Sequence, residues 1–182
     1  YLNYPNNPTA AAAPREFYEH AVAWARRHAL LIIQDAAYSE LYFEHPSISK
    51  TFSMTGWRIG WAAGPESLIQ AMGNLQSQST SNPASISQYA AVAAVSGPEE
   101  PLKKMFVEFD RRRRYMVDRL NAMPGVKCVR PQGAFYAFPD LSAAYDRVLG
   151  PGAKEPKSVA FATQALEKVH VALVPGAAFG DD

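Results

Sequence analysis

The sequence predicts an α/β fold: the remnant of a large α/β/α domain followed by a small α+β C-terminal domain. Three observations predict it. The apolar stretch Tyr1-Leu2-Asn3-Tyr4, a helical pattern after Pro14 and the continuous apolar run Ala29-Leu30-Leu31-Ile32-Ile33 form a β-α-β unit, and such runs mark strands buried on both faces of a parallel sheet. A long helical stretch from Pro98 to Met123 then bridges to a second lobe. Short strands and one helix follow it.

The first strand runs into a turn at Pro5 to Thr9. Pro14 suits a first helical turn, Glu16 suits the positive end of the helix dipole, and Phe17, Ala21, Trp24, Ala25 and His28 recur at helical spacing with Arg26 and Arg27 at the C-terminal end. Past Gly56, the alternation of Trp57, Ile59 and Trp61 with Arg58 and Gly60 predicts a strand that turns Arg58 away from the aromatic face. Helices are expected at Pro65 to Leu75 and Ser85 to Val95, with a polar segment between, and at Ser158 to Lys168. Val126 to Val129, Ala134 to Phe138 and Val171 to Val174 read as strands. The domains are placed at 1–104, the partial large lobe, and 105–182, the linking helix and small lobe. Both termini read as interruptions of a domain, so the chain is expected to be a fragment.

The 182 residues are 48% apolar, enough for one good core, and 18 basic against 17 acidic residues leave no field that would favour nucleic acid or an anionic membrane. A small-molecule ligand is expected. The single cysteine, Cys128, excludes an intramolecular disulfide and fits a reducing, cytoplasmic setting. No zinc spacing, targeting segment or membrane-spanning run is read. Arg111 to Arg114 follow Glu108 and Asp110 on a helix and read as a solvated face; His20 and His28 stand eight apart, outside the spacing of a helical metal pair. Cys128 reads as a small core residue and Tyr136 as a packing residue or a wall of a substrate entrance.

Ligands of open α/β sheets collect at the carboxyl ends of strands. There the sequence places Asn7, Asp35 and Tyr38, and in the turn-rich stretch beyond them Ser47, Lys50 and Arg58. This set matches the needs of pyridoxal 5′-phosphate: an amine for its aldehyde, a carboxylate for its ring nitrogen, donors for its phenolate oxygen, and a guanidinium and hydroxyls for its phosphate.

The stretches Asn7-Pro-Thr9, Asp35-Ala-Ala-Tyr38, Ser47-Ile-Ser-Lys50, Gly56-Trp-Arg-Ile-Gly60, Pro131-Gln-Gly-Ala-Phe-Tyr-Ala-Phe138 and Val174-Pro-Gly176 together resemble the fold-type I aminotransferases of class I and II. Ser53 to Arg58 with Gln76 to Gln88 looks most like bacterial aspartate aminotransferases of type Iβ, whereas Leu2 to Ala10 and Asp35 to Glu40 look closer to diaminopimelate or alanine aminotransferases. The resemblance implies that Lys50 is the Schiff-base lysine and proton shuttle. It implies that Asp35 holds the ring nitrogen protonated, that Asn7 and Tyr38 bond the phenolate oxygen, and that Arg58 and Ser47 grip the phosphate. It further implies amino-acid and 2-oxo-acid substrates, a ping-pong reaction and, in complete form, a homodimer whose 76–88 segment reaches a neighbour's site. Two alternatives stand beside it: another fold-type I enzyme of the same cofactor, a β-lyase or decarboxylase, or a non-catalytic relic serving in binding or regulation.

Two departures from the family pattern matter. Asp35 and Lys50 are fifteen positions apart, where the pattern holds about twenty residues more, room for a crossover and the strand that delivers the lysine. Ala10 stands where many members have glycine.

Overall fold

The computed structural model describes residues 1–36, 48–150 and 156–180. They form two compact units, Tyr1–Asp110 with Gln132–Phe135, and Arg111–Pro131 with Tyr136–Asp182.

In the first unit, β1 (Leu2–Asn3) pairs in parallel with β2 (Gln34–Asp35) across α1 (Arg15–Arg27), the expected β-α-β order. Glu16 lies in the first turn of α1, Arg26 and Arg27 in its last, and Arg15 bonds Glu19 at 2.9 Å one turn on. The predicted strand at 29–33 is corrected. Ala29 takes a left-handed conformation (φ 50°) and the Leu30 amide bonds the Ala25 carbonyl at 2.9 Å, so these residues close α1 in a Schellman-type cap. Pairing begins only where the Leu2 amide reaches the Ile33 carbonyl at 2.7 Å, and Leu30, Leu31 and Ile33 stay about half exposed.

Beyond residue 47, α2 (Ile48–Thr51) leads through a 3₁₀ turn at Thr55–Trp57 into α3 (Glu66–Ser79), α4 (Ser85–Ser96) and α5 (Glu100–Asn121). The predicted strand around Trp57 to Trp61 is also corrected: Trp57 ends the 3₁₀ turn and Arg58 is left-handed (φ 52°, ψ 49°), which breaks the alternation. Met54 and Ala91 bury against each other, with Phe52, Ile59, Ala90 and Ala94 around them, and Ser87 Oγ donates to the Trp57 carbonyl at 2.8 Å. Thus α4 is the floor under the α2 turn. Helix α3 runs past Leu75, with the Ser77 and Ser79 hydroxyls bonded to carbonyls within the helix at 2.8 and 3.2 Å, and it stops before left-handed Ser81.

The second unit begins in the latter half of α5, which carries Arg111 to Arg114. Its β3 (Lys127–Cys128) and β4 (Pro139–Asp140) pair antiparallel, Cys128 opposite Pro139. The expected strand at 134–138 therefore lies one step later in the chain; left-handed Ala134 (φ 54°) interrupts it. Asn121 anchors β3 by giving Nδ2 to the Cys128 carbonyl and accepting the Cys128 amide, at 2.9 and 2.8 Å. Cys128 is buried, and desolvation pushes its thiol pKa up. A short α6 (Ser142–Leu149), absent from the sequence reading, packs on α7 (Lys157–Val169) through Tyr145 and Phe161. Gly125 is required where it stands: φ is 79°, and an added Cβ would meet the Ala143 carbonyl oxygen at 3.1 Å. Residues 171–174, expected as a strand, pair with no strand among the described residues.

The buried apolar residues are mostly small, Ala10, Ala25, Ala91, Ala134 and Ala144 among them, and no large side chain is fully enclosed among the described residues. Among the described residues, Trp24, Leu31, Ile33, Leu75 and Val129 are large apolar side chains that stand more than half exposed. Much apolar surface is left uncovered.

Candidate active site

The ends of β1 and β2 assemble the first half of the candidate site. Asn3 stands opposite Asp35 in the parallel register. Its Nδ2 donates to the Asp35 carbonyl at 3.4 Å, and its Oδ1 accepts the Asn7 amide at 3.0 Å and Asn6 Nδ2 at 3.4 Å. Asn6 in turn accepts the Thr9 amide and hydroxyl on Oδ1, at 3.2 and 2.8 Å, which closes the Pro5–Thr9 turn. The Asn7 side chain stays exposed, while Asp35 is half-buried. Tyr1 donates its phenol to Asp35 Oδ2 at 2.8 Å. That bond, with lesser contributions from desolvation and the carboxylate charge, raises the Tyr1 pKa.

The same turn is fixed from a distant part of the chain. The Gln132 and Gly133 amides both donate to the Ala10 carbonyl, at 3.0 and 3.1 Å, and Gln132 Oε1 accepts the Ala12 amide at 3.1 Å. Ala10 is completely buried and left-handed (φ 57°), which explains why glycine suits this position.

Lys50 and Arg58 make up the second half. Lys50 is half-buried on α2, and its carbonyl accepts the Ser53 amide at 3.2 Å as the Ser49 carbonyl accepts that of Met54 at 2.9 Å. Arg58 gives Nη1 to the Thr55 carbonyl at 2.9 Å and, with Trp57, Gln76, Thr80, Asn82 and Ser87, lines an open polar cavity of about 760 Å³. Lys50 is not among the lining residues. The structure thus links Asn7 and Asp35 through Asn3, and places Lys50 on α2 and Arg58 just after the 3₁₀ turn that follows it. Tyr38 and Ser47 lie outside the described residues.

Asn3 and Gln132 were not singled out by the sequence reading. Gln132 sat inside a recognised stretch, Pro131 to Phe138; Asn3 carried no signal beyond its place in a strand. Among the described residues no group of three His, Cys, Asp or Glu side chains is placed to hold a metal, and no helix is long and apolar enough to cross a membrane.

The first unit thus carries an amide and a carboxylate at or beyond the ends of two paired strands, a lysine on α2 and an arginine just after the 3₁₀ turn. Residues 1–181 match the family model described as aminotransferase class I and II. The chain belongs to that family, whose cofactor is pyridoxal 5′-phosphate. It is 44% identical to an aspartate/prephenate aminotransferase of Cereibacter sphaeroides, over 98% of this chain and 50% of that protein. It is 36% identical to an LL-diaminopimelate aminotransferase of Desulforudis audaxviator, over 99% of this chain and 48% of that protein. Among solved structures, the aspartate aminotransferase from Rhizobium meliloti superposes with a TM-score of 0.85 at 38% identity, covering 100% of this chain and 50% of that one. The chain spans about half the length of the curated relatives it matches.

Proposed function

We propose that the complete protein is a pyridoxal-phosphate-dependent aminotransferase of the aspartate aminotransferase kind, moving an amino group between an amino acid and a 2-oxo acid in a ping-pong reaction. The observation that carries this reading is the placement of Asn7 and Asp35 at neighbouring strand ends, bridged by Asn3. The residues fit the cofactor by their donor chemistry. Half-buried Asp35 already accepts an O–H on Oδ2, the same service it would give a ring N–H, and exposed Asn7 has an amide to offer.

When bound, the cofactor supplies an aldehyde that condenses with amines and a ring that accepts an electron pair. Asp35 keeps a proton on the ring nitrogen, so that electrons released at the substrate Cα have a charged acceptor. Asn7 and Tyr38 donate hydrogen bonds to the ring's phenolate oxygen. Lys50 would anchor the cofactor through its amine and would serve as the group that takes and returns the proton at the substrate Cα. Arg58 and Ser47 would hold the phosphate, the guanidinium by its charge and N–H donors.

The proposal includes a partial large lobe at 1–104, a linking helix and small lobe at 105–182, a homodimer in complete form and a cytoplasmic setting. The alignment to the Cereibacter sphaeroides protein runs over 200 positions, more than the 182 residues of this chain. At least eighteen of those positions therefore have no residue here.

The test is an assay of the purified protein with pyridoxal phosphate, aspartate and 2-oxoglutarate, following glutamate formation. Glutamate and oxaloacetate in equal amounts are expected. Release of sulfide from cysteine or of CO₂ from an amino acid, without amino transfer, identifies the alternative chemistry.

A further inference from the structure

We infer that Asn3 is a positioning residue, which holds the backbones of Asn7 and Asp35 in one fixed relation at the ends of β1 and β2; this rests on the aminotransferase reading above. Asn3 touches neither substrate nor cofactor in this account. It acts on the two residues that do.

A carboxamide is the shortest side chain that offers an acceptor and a donor in one rigid plane. Asn3 uses both in different directions: Oδ1 takes the Asn7 amide at 3.0 Å, and Nδ2 reaches the Asp35 carbonyl on the adjacent strand at 3.4 Å. The first bond spans four residues, so it differs from the two-residue Asx turn by which asparagines commonly shape loops. The second, long for a hydrogen bond, crosses between strands separated by thirty-two positions in the chain. Asn6 Nδ2 adds a third contact on Oδ1 at 3.4 Å. Asn3 is half-buried and its bonds to Asp35 and Asn6 are part-buried, whereas the bond to the Asn7 amide lies at the surface; losing Oδ1 removes the bond that ties the Asn7 backbone to the end of β1.

The role makes two separable statements. Asn3 Oδ1 fixes the backbone of Asn7, with or without cofactor. Through that fixation it sets how well the Asn7 amide meets the ring oxygen.

The experiment measures hydrogen exchange at the Asn7 amide in the cofactor-free protein for wild type, Asn3→Leu and Asn3→Asp. Circular dichroism and melting serve as folding controls. Exchange at Asn7 is expected to accelerate at least tenfold in Asn3→Leu and to stay near wild type in Asn3→Asp, which keeps the acceptor. Should Asn3→Leu fail to fold, Asn3→Ala takes its place. Unchanged exchange at Asn7 in the variant lacking the acceptor overturns the inference. The second arm titrates pyridoxal phosphate into Asn3→Leu, Asn7→Ala and the double variant. Each single variant is expected to weaken binding several-fold and to raise the pH midpoint of the bound cofactor's visible spectrum; the loss in the double variant should be clearly smaller than the sum of the two single losses, the remainder reflecting the Asn3 link to Asp35. Additive losses overturn the inference. Wild-type protein that binds no cofactor overturns the aminotransferase reading instead, while the exchange arm still decides whether Asn3 holds Asn7.

Discussion

The carbonyl of Ala10 accepts the backbone amides of both Gln132 and Gly133, at 3.0 and 3.1 Å, so two stretches far apart in the chain are fastened at the turn that carries Asn7. Gln132 strengthens the joint by accepting the Ala12 amide on Oε1 at 3.1 Å. The Pro131-Gln132-Gly133 stretch is thereby part of the support of the cofactor-side turn.

Gln132→Ala removes only the side-chain acceptor and leaves the two amides on Ala10. The loss expected is that of one exposed hydrogen bond, about 0.5–1 kcal/mol, read by chemical denaturation. Faster hydrogen exchange should be confined to Ala12 and its neighbours.

Left-handed alanines give a sharper contrast. An alanine in this conformation is strained by about 1–2 kcal/mol, and glycine relieves the strain at an entropic cost of about 0.5–1 kcal/mol. At exposed Ala29, little else changes, and Ala29→Gly is expected to raise stability by about 0.5–1 kcal/mol. At Ala10, which is fully buried, losing the methyl costs a further ~0.8 kcal/mol, so Ala10→Gly should be close to neutral. Paired denaturation curves distinguish the two.

These alanines also show what was legible in the sequence. Amphipathic spacing and charge at the ends identify α1, and helical stretches are legible at α3, α4, α5 and α7, because helices are specified by near neighbours. The start of β2 was misplaced because Ala29 caps a helix without glycine, leaving no compositional stop signal. The Trp57 to Trp61 alternation misled for a related reason: Arg58 takes a left-handed backbone that its residue type does not announce. Asn7, Asp35, Lys50 and Arg58 are candidates that residue type and motif name. Asn3 and Gln132 are not, since their partners are set by strand register and by a joint spanning over a hundred residues.

A pH dependence follows at the start of α6. Asp140 accepts the Ser142 amide at 2.9 Å, and the Ser142 hydroxyl and amide hold its carboxyl below the usual carboxylate range. A lowered folded-state pKa means that the stabilisation is present above the ordinary aspartate pKa and is lost as pH falls through the folded-state value. Ser142→Ala should move the Asp140 titration upward, as followed by NMR of its carboxyl carbon. An unchanged titration contradicts the assignment of the hydroxyl as the main cause.

The uncovered apolar surface predicts association. Leu31 and Ile33 are 58% and 52% exposed, and Trp24 beside them on the sequence is 52% exposed. Surfaces of this kind are sites of contact or aggregation. Sedimentation velocity on the chain should show concentration-dependent association, reduced in Leu31→Gln/Ile33→Gln.

The central claim is that Lys50 is the residue that anchors the cofactor. Incubating the protein with pyridoxal phosphate, reducing with borohydride and mapping the labelled peptide by mass spectrometry tests it most directly. The account predicts label on Lys50, lost in Lys50→Ala and kept when a remote lysine such as Lys168 is replaced. Label scattered over surface lysines, or none at Lys50, would contradict it.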